Sequence, residues 1–293
     1  MIHHFLFIVL FVVILFHPLC TSLSLPPPSS THQIRYRGTC SYDGTYFSGW
    51  QVQRNTEKRT VAGTIESTIT STLNLTTPII LTGSSRTDTN VHAKMQLLHF
   101  DLPSDIVLDS SSLMEIINCG LPSDINLLTL DSTHLKFHSI RSSTSKTYIY
   151  RLHVSPFQLP HTRLYRTHIY YNLDIDLFNK TLSLFKGTHD FQGFASQVEQ
   201  KKKVKKNFTT IRNIYNIELA DEGGGDYKII FNLEGALYKM VRNIVGSCLD
   251  VGRGKVDFEE VKRILEEGRG RIENESKPAE GRGLCLEEVF WEE

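Results

Sequence analysis

The 293-residue sequence lacks the features that mark most metalloproteins, disulfide-stabilised proteins and nucleotide-dependent enzymes. Its five cysteines include no C-x-x-C pair, so neither a structural zinc site nor a disulfide framework is expected. No nucleotide-binding glycine-rich loop and no nucleophile elbow is present. Lys plus Arg and Asp plus Glu both total 32, so the chain also lacks a strongly basic balance. Nucleic acid is not thereby excluded as a partner, because affinity for phosphates depends on local basic patches.

The N-terminus carries an unbroken apolar run, residues 5–16, that is too short for a membrane span of about 20 residues. Its length suits the apolar region of a signal peptide, although no Lys or Arg precedes it. A Ser/Thr/Pro-rich stretch without acidic residues follows at residues 21–31. We therefore predict a targeting segment and linker over residues 1–28 and no stable membrane association of the mature form. Import into a plastid or mitochondrion fits this composition, and the alternative is a chain of the cytoplasm or nucleus.

Apolar residues recur with helix and strand periods along the rest of the chain. Strands are predicted over residues 33–40, 78–81, 97–102, 146–154, 207–219, 227–233 and 284–291, and helices over 61–75, 111–117, 175–185, 240–252 and from 258 onward. Because the two kinds of element do not alternate strictly, the expected class is α+β with mostly antiparallel sheet. The polar stretch 139–145 predicts a boundary between lobes at 33–140 and 145–293.

The segment with the closest grouping of candidate catalytic side chains is residues 83–93, G-S-S-R-T-D-T-N-V-H-A. They form a polar loop between apolar segments and offer a guanidinium (Arg86), a carboxylate (Asp88) and an imidazole (His92). Catalytic groups commonly lie on loops held by a rigid scaffold. On chemistry alone, the alternative is a surface turn in which Asp88 caps a helix.

This segment resembles the G-R-T-D-x-G-V-H-A motif of tRNA pseudouridine synthases of the TruA type, in which the Asp is catalytic. Asp88 is the residue that matches it. Ser85 and Asn90 stand where the motif has glycines. Asn is the non-glycine residue that best tolerates positive φ, so we expect Asn90 to keep the same backbone turn.

Five more segments resemble motifs of the same family, in the same order, between residues 35 and 291. They are residues 42–51 (Y-D-G-T-Y-F-S-G-W-Q), 146–150 (K-T-Y-I-Y), 187–194 (G-T-H-D-F-Q-G-F), 240–246 (M-V-R-N-I-V-G) and 278–286 (P-A-E-G-R-G-L-C-L). The resemblance implies the pseudouridine synthase fold, with two lobes of mostly antiparallel sheet, flanking helices and a catalytic cleft between the lobes. The first lobe would carry Asp88, and the second would carry Tyr148 and Arg242.

The implied reaction turns uridine into its isomer pseudouridine, so no cofactor and no metal is expected. Asp88 would attack the sugar or stabilise an oxocarbenium-like sugar, and either role needs an ionised carboxylate. Arg242 would keep it ionised and orient it. Tyr148 would stack on the uracil and assist removal of the C5 proton, and Arg86 would contact the RNA backbone or fill the space of the flipped base. The alternatives are a helix-surface Arg242, a core Tyr148 and a solvated Arg86.

The strongest basic patch is the run K-K-K-V-K-K at residues 201–206. Lys201, Lys202 and Lys203 would either bind tRNA phosphates or form a solvated loop. The family's usual substrate is the tRNA anticodon stem-loop around positions 38–40, and its bacterial members are homodimers, so tRNA and a second copy are the expected partners. The alternative function is that of a catalytically inactive RNA-binding protein that helps tRNA fold, which the presence of Asp88 disfavours.

Overall fold

The computed structural model describes residues 32–53, 57–106, 108–204 and 207–292. The targeting segment predicted for residues 1–28 lies outside these ranges, as do Lys205 and Lys206 of the basic run. Within the ranges, no helix has the length and apolar character that crossing a membrane requires.

The described strands form one ten-stranded sheet. They are Gln33–Tyr42 (β1), Thr82–Gly83 (β2), His92–Pro103 (β3), Ile125–Thr133 (β4), Ser143–Val154 (β5), Thr167–Ile169 (β6), Gly187–Asp190 (β7), Ile211–Gly223 (β8), Asp226–Leu233 (β9) and Leu284–Trp291 (β10). Their order is β4-β1-β3-β10-β5-β9-β8-β7, with β2 paired to β3 and β6 to β5. The β10–β3 and β5–β6 pairs are parallel and the others described are antiparallel. This arrangement confirms the predicted α+β class.

Helices accompany both halves of the sheet. They are Val61–Thr72 (α1), Ser110–Gly120 (α2), Ile175–Ser183 (α3), Val198–Val204 (α4), Met240–Gly252 (α5) and Phe258–Glu266 (α6). Helix α1 packs on α2, and α2 on β4, whereas α3 packs on α5. The last turn of α1 ends earlier than predicted, because Asn74 takes the left-handed conformation at a φ of 49°.

Strand β10 joins the two halves of the sheet. It runs parallel to β3, with Cys285 opposite His92, and antiparallel to β5, with Leu286 opposite Tyr148. The sheet therefore continues across the boundary predicted at residues 139–145. In that stretch Ser139 is fully buried and its hydroxyl donates to the Thr82 carbonyl at 2.9 Å. The division into two lobes stays a prediction.

The predicted strand at 78–81 is wrong. Ile80 is 81% exposed, and the Leu81 backbone N–H donates to the Glu66 carboxylate of α1 at 2.8 Å, not to a neighbouring strand. Pairing with β3 starts only at Thr82, opposite His99. An apolar run four residues long does not reveal whether its partner is a strand or a helix.

Candidate active site

Asp88 and Arg242 form an ion pair that joins two distant segments of the chain. Asp88 lies in the loop between β2 and β3, and Arg242 lies in the first turn of α5. The Arg242 Nη1 donates to Asp88 Oδ2 at 2.6 Å, and the side chains are only 14% and 11% exposed. The Arg242 Nε also donates to the Ala279 carbonyl at 2.7 Å, so the guanidinium is held at two points. Such a charge-assisted bond fixes the orientation of the carboxylate.

All the remaining residues of helix α5 are buried, so Arg242 is the residue that this helix leaves accessible at the cleft. The helix starts after Lys239, which has a left-handed φ of 59° and makes no side-chain cap bond. The Ala279 backbone N–H donates to the Arg242 carbonyl at 2.9 Å, so the segment before β10 packs along this first turn. The motif at 278–286 thus supports the motif that carries the arginine.

The segment 42–51 contacts the Asp88 loop and holds it in place. Tyr42 Oη lies 2.8 Å from Thr87 Oγ1, and the Trp50 backbone N–H donates to the Thr87 carbonyl at 3.1 Å. Gly49 has a φ of +98°, and a Cβ there would lie 2.7 Å from the Thr87 oxygen. A larger residue at position 49 would push the loop away. From the sequence, this segment was recognised as a motif, but its supporting role was not predicted.

Asn90 has a φ of 61°, as expected of a residue that stands where the family motif has glycine. The Val91 backbone N–H donates to the Asp88 carbonyl at 3.2 Å and closes the turn between them. The left-handed residue lets the chain reverse directly after Asp88 and enter β3 at His92.

Tyr148 lies on β5 and is 7% exposed. Its hydroxyl is 3.1 Å from Ser85 Oγ on the Asp88 loop. The pKa of Tyr148 is raised to about 12, mainly by burial and also by the nearby Asp88 charge, whereas the hydrogen bond with Ser85 acts in the opposite direction. Near neutral pH the side chain is therefore an uncharged phenol, able to donate and accept hydrogen bonds.

These side chains line one open cleft. Its lining includes the predicted residues Arg86, Asp88, Tyr148 and Arg242, together with apolar side chains of which Leu237, Met240 and Leu284 are examples. Arg86 is exposed, and no ion pair or hydrogen bond to its guanidinium is found in the described part of the chain. A cleft with an apolar wall, a carboxylate and a free guanidinium suits a polar, planar ligand with an anionic attachment.

The three predicted lysines lie outside this cleft. Residues 198–204 form α4 and not the loop that a charge run suggests. The Lys202 Nζ donates to the Gln192 side chain at 3.0 Å, and Lys203 is exposed. The Lys201 Nζ lies 5.8 Å from the centre of the Tyr238 ring.

Lys239 connects α4 with the cleft and was missed from the sequence. It lines the cleft, and its Nζ lies 5.2 Å from the centre of the same Tyr238 ring. Its place directly before the M-V-R-N-I-V-G motif is the signal that could have found it. A basic path therefore runs from α4 through Lys239 to the cleft.

Within the described ranges, no three His, Cys, Asp or Glu side chains are grouped as metal ligands. The four cysteines in those ranges form no disulfide bond.

Comparison with known proteins identifies the family. A family profile described as tRNA pseudouridine synthase matches residues 40–140 and 182–292. The tRNA pseudouridine synthase A 1 of Protochlamydia amoebophila (strain UWE25) is 36% identical over 260 residues, 88% of this chain and 96% of that relative. The tRNA pseudouridine synthase A of Streptococcus thermophilus (strain CNRZ 1066) is 37% identical over 264 residues, 88% of this chain and 100% of that relative.

A solved Cbf5–Nop10–Gar1 complex aligns with a TM-score of 0.30 and 14% identity, over 73% of this chain and 54% of that one. The family follows from the sequence matches and not from this structural likeness. The chain belongs to the tRNA pseudouridine synthase family, of the TruA type that its motifs resemble.

Proposed function

We propose that this protein isomerises uridine to pseudouridine in tRNA, with Asp88 as the catalytic carboxylate. The observation that carries the assignment is the 2.6 Å bond from Arg242 to Asp88 inside the cleft. Buried charges in folded proteins are paired, and this pair joins Asp88 to a guanidinium 154 residues away in the chain. Family membership supports the reaction, and the geometry supports the residue.

The reaction needs an ionised carboxylate on the enzyme. It needs no donor of a chemical group, because substrate and product are isomers. The C1′–N1 bond of uridine breaks, the uracil turns and a C1′–C5 bond forms. The C5 proton then leaves and N1 gains a proton, so that the product is an isomer of the substrate. Asp88 either attacks C1′ or stabilises the positive charge that develops on the sugar. Arg242 orients the carboxylate for both routes, because its Nε is fixed by the Ala279 carbonyl.

Tyr148 and Arg86 act on the base that leaves the RNA stack. An enzyme that rotates a base must first extrude the nucleotide. Tyr148 offers a ring face for stacking and a neutral hydroxyl near the base edge, where it assists loss of the C5 proton. Arg86 is exposed at the cleft and contacts the RNA backbone or takes the space of the extruded base.

The tRNA is held through phosphates by Lys201, Lys202 and Lys203, with Lys239 between them and the cleft. The target is a uridine of the anticodon stem-loop, around positions 38–40, and the mature protein acts as a homodimer without stable attachment to a membrane. Light scattering of the purified protein measures the oligomeric state, and a monomer that is fully active contradicts that part of the proposal.

The test uses a tRNA transcript tritiated at uracil C5 and the full chain. Pseudouridine formation releases the tritium, and nearest-neighbour digestion locates the modified uridine. We expect release from a tRNA with uridines at positions 38–40 and none from a matched transcript with cytidines there. Tight tRNA binding without any release would favour the inactive RNA-binding alternative.

A further inference from the structure

Ser85 contacts Tyr148 through a hydroxyl that the family motif does not provide at this position. Ser85 Oγ lies 3.1 Å from Tyr148 Oη, and the two residues are 8% and 7% exposed. The motif that Ser85 matches has glycine there, which offers no side-chain donor or acceptor. In this chain, then, the Asp88 loop has a direct hydrogen bond to the tyrosine of β5.

The Ser85 backbone is held in place by a fully buried glutamine, Gln96 of β3. The Gln96 Oε1 accepts from the Ser85 backbone N–H at 3.2 Å and from Ser84 Oγ at 3.0 Å. The Gln96 Nε2 donates to the Ser85 carbonyl at 2.6 Å. Both backbone groups of Ser85 are thus bonded to β3, so the hydroxyl that meets Tyr148 stands on a backbone fixed to the sheet.

Tyr148 needs such an anchor because its hydroxyl is buried. An unpaired buried hydroxyl is costly, and Ser85 is the hydrogen-bond partner that the described residues give it. Ser85 also precedes Asp88 by three residues in the same loop. The contact therefore fixes the distance between the phenol and the carboxylate that face the same substrate.

We propose that Ser85 is the positioning residue for Tyr148, holding the phenol in one orientation towards the target uracil. This inference rests on the proposed function, because it assigns Tyr148 a part in the reaction. Loss of the Ser85 hydroxyl removes one hydrogen bond from the site, which corresponds to a fall of about fivefold in kcat. The tRNA is bound by other residues, so KM stays within about twofold.

The experiment compares full-length Ser85→Ala, Ser85→Gly and Ser85→Thr with the parent. Ser183→Ala is the matched control, since Ser183 Oγ bonds only the Asn179 carbonyl on the exposed side of α3. The first readout is tritium release, analysed for kcat and KM. We expect Ala and Gly to lower kcat, Thr to restore most of it, and the control to match the parent. Ser85→Ala should have no further effect in a Tyr148→Phe background, because the cycle isolates their coupling.

The second readout does not depend on activity. The protein is labelled with 3-fluorotyrosine, and Tyr148→Phe identifies the Tyr148 fluorine resonance. Ser85→Ala and Ser85→Gly should move that resonance, whereas Ser85→Thr and Ser183→Ala should leave it near its parent position.

The outcomes separate the inference from the proposed function. An unmoved Tyr148 resonance overturns the contact, and a moved resonance with unchanged kcat overturns its role in the reaction. Equal effects of Ser85→Ala in the parent and Tyr148→Phe backgrounds also overturn it. A parent that releases no tritium defeats the proposed function and with it the catalytic part of this inference, even where the fluorine spectrum shows the contact.

Discussion

At the scale of single residues, the site depends on a guanidinium held from two sides. Arg242 donates a hydrogen bond from Nε to the Ala279 carbonyl and another from Nη1 to the Asp88 carboxylate. The planar, forked shape of the group lets it satisfy both acceptors at once. Because both side chains are mostly buried, removal of either leaves an uncompensated charge in a poorly solvated place.

Replacing Arg242 by lysine keeps the charge but loses this geometry. An ammonium on a flexible stem cannot hold both acceptors in the same arrangement, and misplacement of a catalytic group costs about 100-fold. We expect Arg242→Lys to lower kcat by about that factor, as measured by single-turnover tritium release, with tRNA affinity little changed. Arg253→Lys, at the other end of α5, is the control and should match the parent. A fully active Arg242→Lys would show that the two-sided contact is not needed.

His99 makes folding stability depend on pH. The pKa of His99 is lowered to about 4, mainly by burial and also by the charges of Arg35 and His138, whereas Asp101 acts in the opposite direction. The ordinary value is about 6.5, so between these two pH values the unfolded chain binds a proton that the folded chain does not. Stability should therefore fall as pH drops from about 6.5 to about 4, and this contribution should then level off.

Urea unfolding from pH 7 to pH 4 measures this dependence. In His99→Gln the slope of unfolding free energy against pH should be shallower than in the parent over the same range. Buried His92 has a lowered pKa as well and leaves a residual slope. Identical slopes in parent and variant would assign the dependence to other groups.

At the scale of elements, the sequence predicted the helices and strands whose ends are marked by local sequence signals such as capping residues. Asp257 was predicted to cap a helix, and its carboxylate accepts from the Glu259 backbone N–H at the start of α6. Helix α5 and strand β10 were predicted with the bounds that they have in the structure. Strand β4 was not predicted, because Leu128 is exposed on it and breaks the alternation that marks a strand with one buried face.

The site was predictable only in part. The motifs pointed to Asp88, Arg242 and Tyr148, and Asn90 has the positive φ expected from its motif position. Spacing could not reveal that the Asp88 loop meets α5, since the pair joins residues 154 apart. The Gln96 contacts were also out of reach, because they depend on how the Asp88 loop packs on β3.

Asn90, the left-handed residue of the Asp88 loop, provides a further prediction. Asn90 is exposed and has a φ of 61°, a conformation that costs a β-branched residue roughly 1–2 kcal/mol. Asn90→Gly should keep parental activity, whereas Asn90→Val should lower both the melting temperature and tritium release. Thr89→Val, at the exposed neighbouring position without positive φ, is the control. A parental Asn90→Val would mean that the turn does not depend on this residue.

At the scale of the whole molecule, β10 connects the two walls of the cleft. The strand lies between β3, which follows the Asp88 loop, and β5, which carries Tyr148. The segment before it contacts Arg242 through Ala279. The last described strand of the chain therefore fixes the relative positions of all three candidate catalytic residues.

A chain that ends at Gly283 should not form the native sheet. It lacks β10, so β3 and β5 lose their shared partner and their facing edges are left unpaired. We expect loss of cooperative unfolding by circular dichroism and no tritium release. A chain that ends at Trp291 retains β10 and should unfold like the parent. Native-like unfolding of the shorter chain would show that β10 is not needed to join the halves.

Tritium release from uracil C5 of tRNA by the full-length Asp88→Asn variant tests the central claim most directly. Asparagine keeps the size of the side chain but cannot act as an ionised carboxylate. Asp131→Asn, an exposed change on β4, is the matched control. The account predicts release by the parent and by Asp131→Asn, and none above background by Asp88→Asn. Release by Asp88→Asn at the parental rate would contradict it and assign the chemistry to another residue.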